Sequence, residues 1–207
     1  MAKQAGAGIN VIERQTQWAS CLWSGGLFVL ALVHLIPLES PVTWTLNWLP
    51  ALGIDLSFYI DGLSRLFILL ITGIGFFIFL FSGNYLAGHI HFQRFFLYLH
   101  LFMLAMLGVV VADNLITLFV FWELSSLTSY LLIGFSHREG RSRRAALQGL
   151  LVTGAGGLCL LAGLILVGLA AGTFSISEIL NDSQALHEHP WVTGIIVLLG
   201  LGALTKS

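Results

Sequence analysis

The sequence predicts an all-α fold, a polytopic transmembrane bundle of about six membrane helices, and three observations carry that expectation. Hydrophobic residues make up 57% of the 207 and charged residues only 9%, against roughly 25% charged in an average soluble domain. Mean hydropathy is +0.91, and nine basic plus ten acidic side chains are too few to coat a water-soluble globule of this size. The apolar residues fall in long unbroken runs rather than in alternating units of ~10 residues, which selects helices over an outer-membrane barrel. A formal net charge of −1 leaves no electrostatic footprint for nucleic acid. Cys21 and Cys159 both lie inside apolar runs, so neither a disulfide scaffold nor a zinc site is expected of this chain.

A bilayer core of ~30 Å needs ~20 helical residues. The candidate runs are 18–37, 63–82, 95–112, 115–134, 147–171 and 191–207. The first follows Lys3 and Arg14 as a secretory signal would. It is too long for a signal core, and it ends in Ile36-Pro37-Leu38-Glu39 with no small-x-small cleavage site, so it reads as a retained helix. Segment 40–60, with Pro41 and Pro50, is expected to lie on the membrane surface. The second run opens in Asp61-Gly62-Leu63-Ser64, where a carboxylate complements a helix N-terminus and capping is the default role of Asp61. Asp113-Asn114 is the shortest link, a structural turn that makes the third and fourth helices antiparallel neighbours. Gly154-Ala155-Gly156-Gly157 in the fifth run, with Gly149 and Gly163, suits close helix packing. A phosphate loop fails there, lacking a preceding strand and a following Lys-Ser/Thr. Gly172–Pro190 carries a short amphipathic stretch around Ile176–Leu180. The last run, Trp191–Ser207, gives roughly 25 Å of helix where ~30 Å is needed, so the sequence is expected to be part of a longer chain.

Basic residues set the orientation. With the N-terminus in the cytoplasm, Lys3, Arg14, Arg94, Arg138, Arg141, Arg143 and Arg144 all fall inside. The outer connections 39–62, 113–114 and 172–190 hold no Lys or Arg, the nearest being Arg65. Trp18, Trp23, Trp44, Trp48 and Trp191 lie near helix ends, where amphipathic rings favour the headgroup layer.

Two ionisable residues sit deep in apolar helices. At 1.5 Å per residue, Glu123 lies about 13 Å and Lys206 about 22 Å below the outer boundary. Each costs about 2.5–3.5 kcal/mol at mid-bilayer, so neither should face lipid. They either lock helices together as an ion pair or mark a proton or cation pathway, and intramembrane charges favour the second reading. Ser125, Ser126, Thr128, Ser129 and Tyr130 follow Glu123. Ser126 and Tyr130, at i+3 and i+7, share the carboxylate's face and with Ser129 form a candidate hydroxyl relay. Taken singly, each hydroxyl is more simply a helix-packing group. His34 and His100 fall near opposite membrane faces, so one haem iron could not easily take both. His89 and His91 belong to an inner loop, and His187 and His189 to an outer one. No cofactor, metal or catalytic residue is expected.

Five motifs occur in order: Asp61-Gly62-Leu63-Ser64, Ala112-Asp113-Asn114-Leu115, the run from Phe121-Trp122-Glu123-Leu124 to Gly134, Val152-Thr153-Gly154-Ala155-Gly156-Gly157, and Gly202-Ala203-Leu204-Thr205-Lys206-Ser207. Over about 50–207 the chain resembles the A-type subunit of the multisubunit (Mrp-type) Na+/H+ antiporters. That subunit is homologous to the largest antiporter-like subunit of respiratory complex I. Trp-Glu-Leu-Ser-Ser and Ala-Leu-Thr-Lys-Ser look more like the antiporter branch.

The resemblance implies part of an antiporter-like inverted-repeat fold in an N-terminal fragment. It divides the chain into an N-terminal segment with its first helix (1–45), an antiporter-type N-terminal region (46–96) and a truncated proton-translocating core (97–207) whose broken helix is interrupted just past Lys206. It also implies that Glu123 pairs with Lys206 in proton translocation, Lys206 holding a proton while the carboxylate is close and releasing it when the carboxylate is drawn away. Implied partners are other subunits of an antiporter or complex I-like assembly, the lipid bilayer, H+ and, by resemblance only, Na+. The implied setting is the bacterial inner (plasma) membrane, and the implied role is transport rather than enzymatic catalysis. The competing expectation is a membrane scaffold subunit with no conducting path.

Overall fold

The structure is a computed structural model describing residues 10–37, 40–49, 54–136, 140–182, 186 and 189–206. Of the residues discussed above, Lys3, Leu38, Glu39, Pro50, Arg138, His187 and Ser207 lie outside these. Among the described residues, five helices are long and apolar enough to cross a membrane, and a sixth apolar helix is shorter. The bundle expected from composition is what the chain builds.

Helix α1 (Val11–Leu30) starts at a reciprocal cap. Asn10 accepts from the Glu13 amide, and Glu13 accepts from the Asn10 amide. It continues into a π-helical turn over Ala31–Leu35. The buried face of α1 is Glu13, Gln17, Ser20, Cys21 and Ser24, while Val11, Trp18, Leu22, Trp23 and Val29 point outward. That inside-out pattern is what a lipid solvent favours, because small and polar groups find partners only between helices. Gln17 donates to the Leu80 carbonyl at 2.9 Å and Ser24 to the Thr72 carbonyl at 2.8 Å, tying α1 to α2 (Gly62–Tyr85). Phe79, Phe92, Phe96 and Met103 close this half of the core with Cys21.

Between α1 and α2 the chain forms an antiparallel hairpin, β1 (Val42–Leu49) and β2 (Ile54–Ile60), with Val42 opposite Ile60 and Leu46 opposite Leu56. Strand β1 is exposed, and the strands themselves were not anticipated. Trp44 stacks on Phe58 across the pair at 5.6 Å.

Helices α3 (Phe92–Val111) and α4 (Leu115–Ile133) pack antiparallel about Asp113-Asn114. This turn joins two neighbours. The Asp113 amide donates to the Ser57 carbonyl of β2 at 2.8 Å. Both Asp113 carboxylate oxygens accept from Ser177, one from its amide and one from its hydroxyl, each at 2.9 Å. That secures α6 (Ile176–Asn181), the short helix in the stretch read as amphipathic.

Helix α5 (Gly140–Ala171) has 32 residues, about 48 Å at 1.5 Å each, which exceeds a ~30 Å core. It begins seven residues before the expected 147. The extra turns carry Arg141, Arg143 and Arg144, which are polar yet good helix formers. Gly172, at φ 72°, ends it in the left-handed conformation that glycine accepts most readily.

Helix α7 (Val192–Leu204) packs against α5 through small residues. Gly202 lies against Leu160 and the Gly156 carbonyl, and Gly163 against Leu199. Regular helix runs to Leu204. The last turn tightens there, with the Lys206 amide bonding the Ala203 carbonyl and the Thr205 hydroxyl the Gly202 carbonyl.

Candidate functional site

Helix α4 is well placed to carry polar groups through an apolar layer because it packs against both α3 and α5. Asn114 caps it, accepting from the Ile116 and Thr117 amides at 2.9 and 3.4 Å. The Thr117 hydroxyl donates to the Asp55 carbonyl of β2 at 2.8 Å, which fixes the helix against the hairpin. Down its length, Thr117, Ser125, Ser126 and Thr128 are buried.

Lys206 docks on this helix from the end of α7. Its ammonium has three N–H donors, and three acceptors surround it. They are the Trp122 carbonyl at 2.8 Å, the Ser125 hydroxyl at 2.5 Å and the Ser126 hydroxyl at 2.8 Å. The Trp122 ring lies beneath, 4.6 Å from Nζ to the ring centroid, a cation–π distance. Both serine hydroxyls also donate back to the Trp122 carbonyl, at 2.7 and 3.2 Å. One backbone carbonyl thus gathers the whole cradle.

Glu123 leaves the neighbouring position of α4 and turns toward α5. Its Oε1 rests on Gly157, where a Cβ would collide with it. That oxygen is buried and has no hydrogen-bond donor among the described residues. The carboxylate and the Lys206 ammonium are near enough to attract one another electrostatically. The ammonium's hydrogen bonds, however, go to Trp122, Ser125 and Ser126 rather than to the carboxylate. Among the described residues no direct bridge joins the two groups.

The hydroxyls gather on the lysine's side. A cavity of about 240 Å³ is lined by Ser125, Ser126, Ser129, Tyr130, Thr153 and Lys206, with Phe102 and Met106 among its apolar walls. Ser126, Ser129 and Tyr130 therefore meet around Lys206, whereas Glu123 stands outside that lining. The Trp122 carbonyl and ring and the Ser125 hydroxyl were missed from the sequence. The available signal was two serines at i+3 and i+4 from Trp122, the spacing at which hydroxyls bond back to a helix carbonyl.

The other predicted residues lie elsewhere. Asp61 is the N-cap of α2, its Oδ1 accepting from the Ser64 amide at 2.8 Å and the Ser64 hydroxyl at 2.5 Å. These donors hold its carboxyl below the usual carboxylate range. Asp113 serves the α3–α4 turn. His100 bonds the Phe96 carbonyl at 2.7 Å and packs on Phe79, with ring centroids 4.5 Å apart. Among the described residues no three His, Cys, Asp or Glu side chains come together as a metal site.

Residues 112–207 match the family model described as NADH:quinone oxidoreductase/Mrp antiporter, TM, and residues 47–96 match the N-terminus of NADH-ubiquinone oxidoreductase (complex I), chain 5. The Na(+)/H(+) antiporter A1 subunit of Staphylococcus haemolyticus is 44% identical over 181 residues, 87% of this chain and 22% of that protein. The chain belongs to the NADH:quinone oxidoreductase/Mrp antiporter family. Among solved members, the Mrp complex from Dietzia sp. superposes with a TM-score of 0.82 at 34% identity, covering 94% of this chain and 21% of its counterpart. Respiratory complex I from Thermus thermophilus gives 0.70 at 25%, covering 88% and 38%. The chain thus spans about a fifth of the length of the antiporter relative it matches. It is a multi-pass membrane, antiporter-like segment, homologous to the A-type subunit of these antiporters.

Proposed function

We propose that this chain forms a proton-handling site in the membrane subunit of a multisubunit Na+/proton antiporter, with Lys206 as proton carrier and Glu123 as its counter-charge. The observation that carries the reading is the arrangement on α4. A lysine ammonium is held by one carbonyl and two hydroxyls, beside a carboxylate that leaves the residue after Trp122 and keeps a buried oxygen without a donor among the described residues.

Such an oxygen is costly in an apolar layer. Two arrangements relieve it: the ammonium moves toward the carboxylate, or a proton reaches the carboxylate itself. A site with two nearby solutions can alternate between them, and alternation is what a proton carrier needs. When Lys206 releases its proton, the hydroxyls of Ser125, Ser126, Ser129 and Tyr130 are the first acceptors in reach along the cavity. Coupling to Na+, partnership with further membrane subunits, a place in the bacterial plasma membrane with the N-terminus cytoplasmic, and the division at 46–96 and 97–207 all belong to this proposal. The arginines support the orientation: Arg14, Arg94, Arg141, Arg143 and Arg144 cluster where α1, α3 and α5 begin. On this reading the chain belongs to a secondary transporter and not to an enzyme.

In the full-length protein, Glu123→Ala should abolish or sharply reduce antiport while assembly survives; normal transport by that variant defeats the proposal. A second reading, a proton-pumping subunit of a complex I-like assembly, draws on the match of residues 47–96 to a complex I chain. It predicts proton movement with no Na+ counterflow in vesicles.

A further inference from the structure

A second cavity, of about 360 Å³, opens at the arginine-rich end of the bundle, where α3 and α5 begin and α4 ends. Its polar wall is His91, Arg94, Tyr98, Tyr130 and Arg143, and among the described residues no carboxylate lines it. Arg94 is held in place by Tyr98, to whose hydroxyl its Nε donates and over whose ring its guanidinium lies 5.2 Å from the centroid. His91, the residue before the first turn of α3, brings the positive end of that helix dipole to the cavity wall. The remaining wall is apolar and includes Leu131, Phe135 and Leu147.

From this pocket a track runs down the outside of α5. Arg143, Leu147 and Leu151 follow at i, i+4 and i+8, one above another on a helix. Leu147 is 51% exposed, Leu151 65% and, further along, Leu158 69%. From Arg143 to Leu158 the helix rises about 22 Å, enough for an acyl chain to cross its leaflet. A soluble anion would use the arginines and leave the track unexplained, whereas an amphiphile uses both.

The geometry points to a binding site for an anionic phospholipid, its phosphodiester headgroup between Arg94 and Arg143 and one acyl chain along Leu147 and Leu151. Guanidinium groups suit the headgroup because their forked donors match phosphate oxygens in pairs. Tyr130 and Ala146 line both this cavity and the one beside Lys206, but neither arginine belongs to the lysine's cradle, and the assignment stands whether or not the chain carries protons.

Native mass spectrometry of the protein in mild detergent, titrated with dioleoyl phosphatidylglycerol, phosphatidylcholine or inorganic phosphate, tests it. The expected result is preferential retention of phosphatidylglycerol, weakened about 30-fold in Arg94→Gln/Arg143→Gln, or about fivefold per arginine. Arg141→Gln/Arg144→Gln removes the same charge from side chains that line a different surface hollow, and should change binding less than about twofold. Three outcomes overturn the assignment. Equal loss in both double variants means diffuse attraction only. Equal retention of phosphatidylcholine means an apolar groove only. Displacement of the lipid by millimolar inorganic phosphate means a soluble-anion site. The arginines are exposed, and an unchanged thermal transition in the double variants separates lost binding from lost folding.

Discussion

Gly157 offers a way to move the Glu123 carboxylate without removing it. Oε1 lies where the added methyl of Gly157→Ala would be, and Cδ is only 3.0 Å from that methyl. Ordinary contact requires about 3.5 Å, so the carboxylate must withdraw by about 1 Å. It is the far end of a flexible side chain and can do so. The cost to folding is therefore small: overpacking of about 1 kcal/mol or slightly more is set against up to ~1 kcal/mol gained from helix propensity. Function should be far more sensitive, since displacing a positioned group by 1 Å costs on the order of 100-fold. Gly154→Ala is the control on the same helix, because its Cβ would meet nothing within 4 Å. Both variants would be scored by ΔpH-driven antiport in membrane vesicles, normalised to the amount of assembled protein. Transport should fall about 100-fold in Gly157→Ala and stay within about twofold of wild type in Gly154→Ala. Equal rates in the two variants would refute the idea that the carboxylate's position matters.

Ser125→Ala with Ser126→Ala strips two of the three acceptors from the Lys206 ammonium. Bonds to charged groups are worth about 1.5–3 kcal/mol each, so transport should fall at least tenfold, while Ser129→Ala, which keeps the cradle whole, should cost less. Asp61→Ala should cost about 1 kcal/mol of stability through loss of the α2 cap, read from a thermal transition in detergent at neutral pH. Because Ser64 holds the Asp61 carboxyl below its unfolded value, that advantage is complete above the unfolded pKa of about 3.9. It disappears as pH falls through the lower folded value, so wild type and variant should converge in acid and nowhere else. A difference between them that persists in strong acid would show that the cap is not what the substitution removed.

The sequence made the membrane helices plain because hydropathy reports lipid burial directly, and each expected run lies on an observed helix. Their ends were less plain, for identifiable reasons. Helix α5 starts at Gly140 because arginines extend a helix beyond the bilayer, where hydropathy is blind. Helix α1 starts at Val11 because Asn10 and Glu13 form a cap, a signal that begins eight residues ahead of the apolar run. The hairpin was also written in the chain: Val42-Thr43-Trp44-Thr45-Leu46-Asn47 alternates with period two, as does Ile54-Asp55-Leu56-Ser57-Phe58. That alternation was not read.

At the site, the residue types were legible and the partners were not. Deep charges in Glu123 and Lys206 stand out in any apolar helix. That Lys206 bonds Trp122, Ser125 and Ser126 while Glu123 turns to Gly157 depends on how α5 and α7 approach α4. Gly156 and Gly202 set that approach by letting Thr205 and Leu160 come close. A sequence shows such glycines but not which helix each one admits.

The account depends on Glu123 and Lys206 acting as one unit, and a double-substitution cycle on proton flux measures that directly. Flux per assembled protein would be compared for wild type, Glu123→Gln, Lys206→Met and the two combined. The account predicts a steep loss in each single variant and no further loss in the pair, since removing either member already disables the unit. Losses that multiply in the combined variant, or flux that survives either single change, would contradict it.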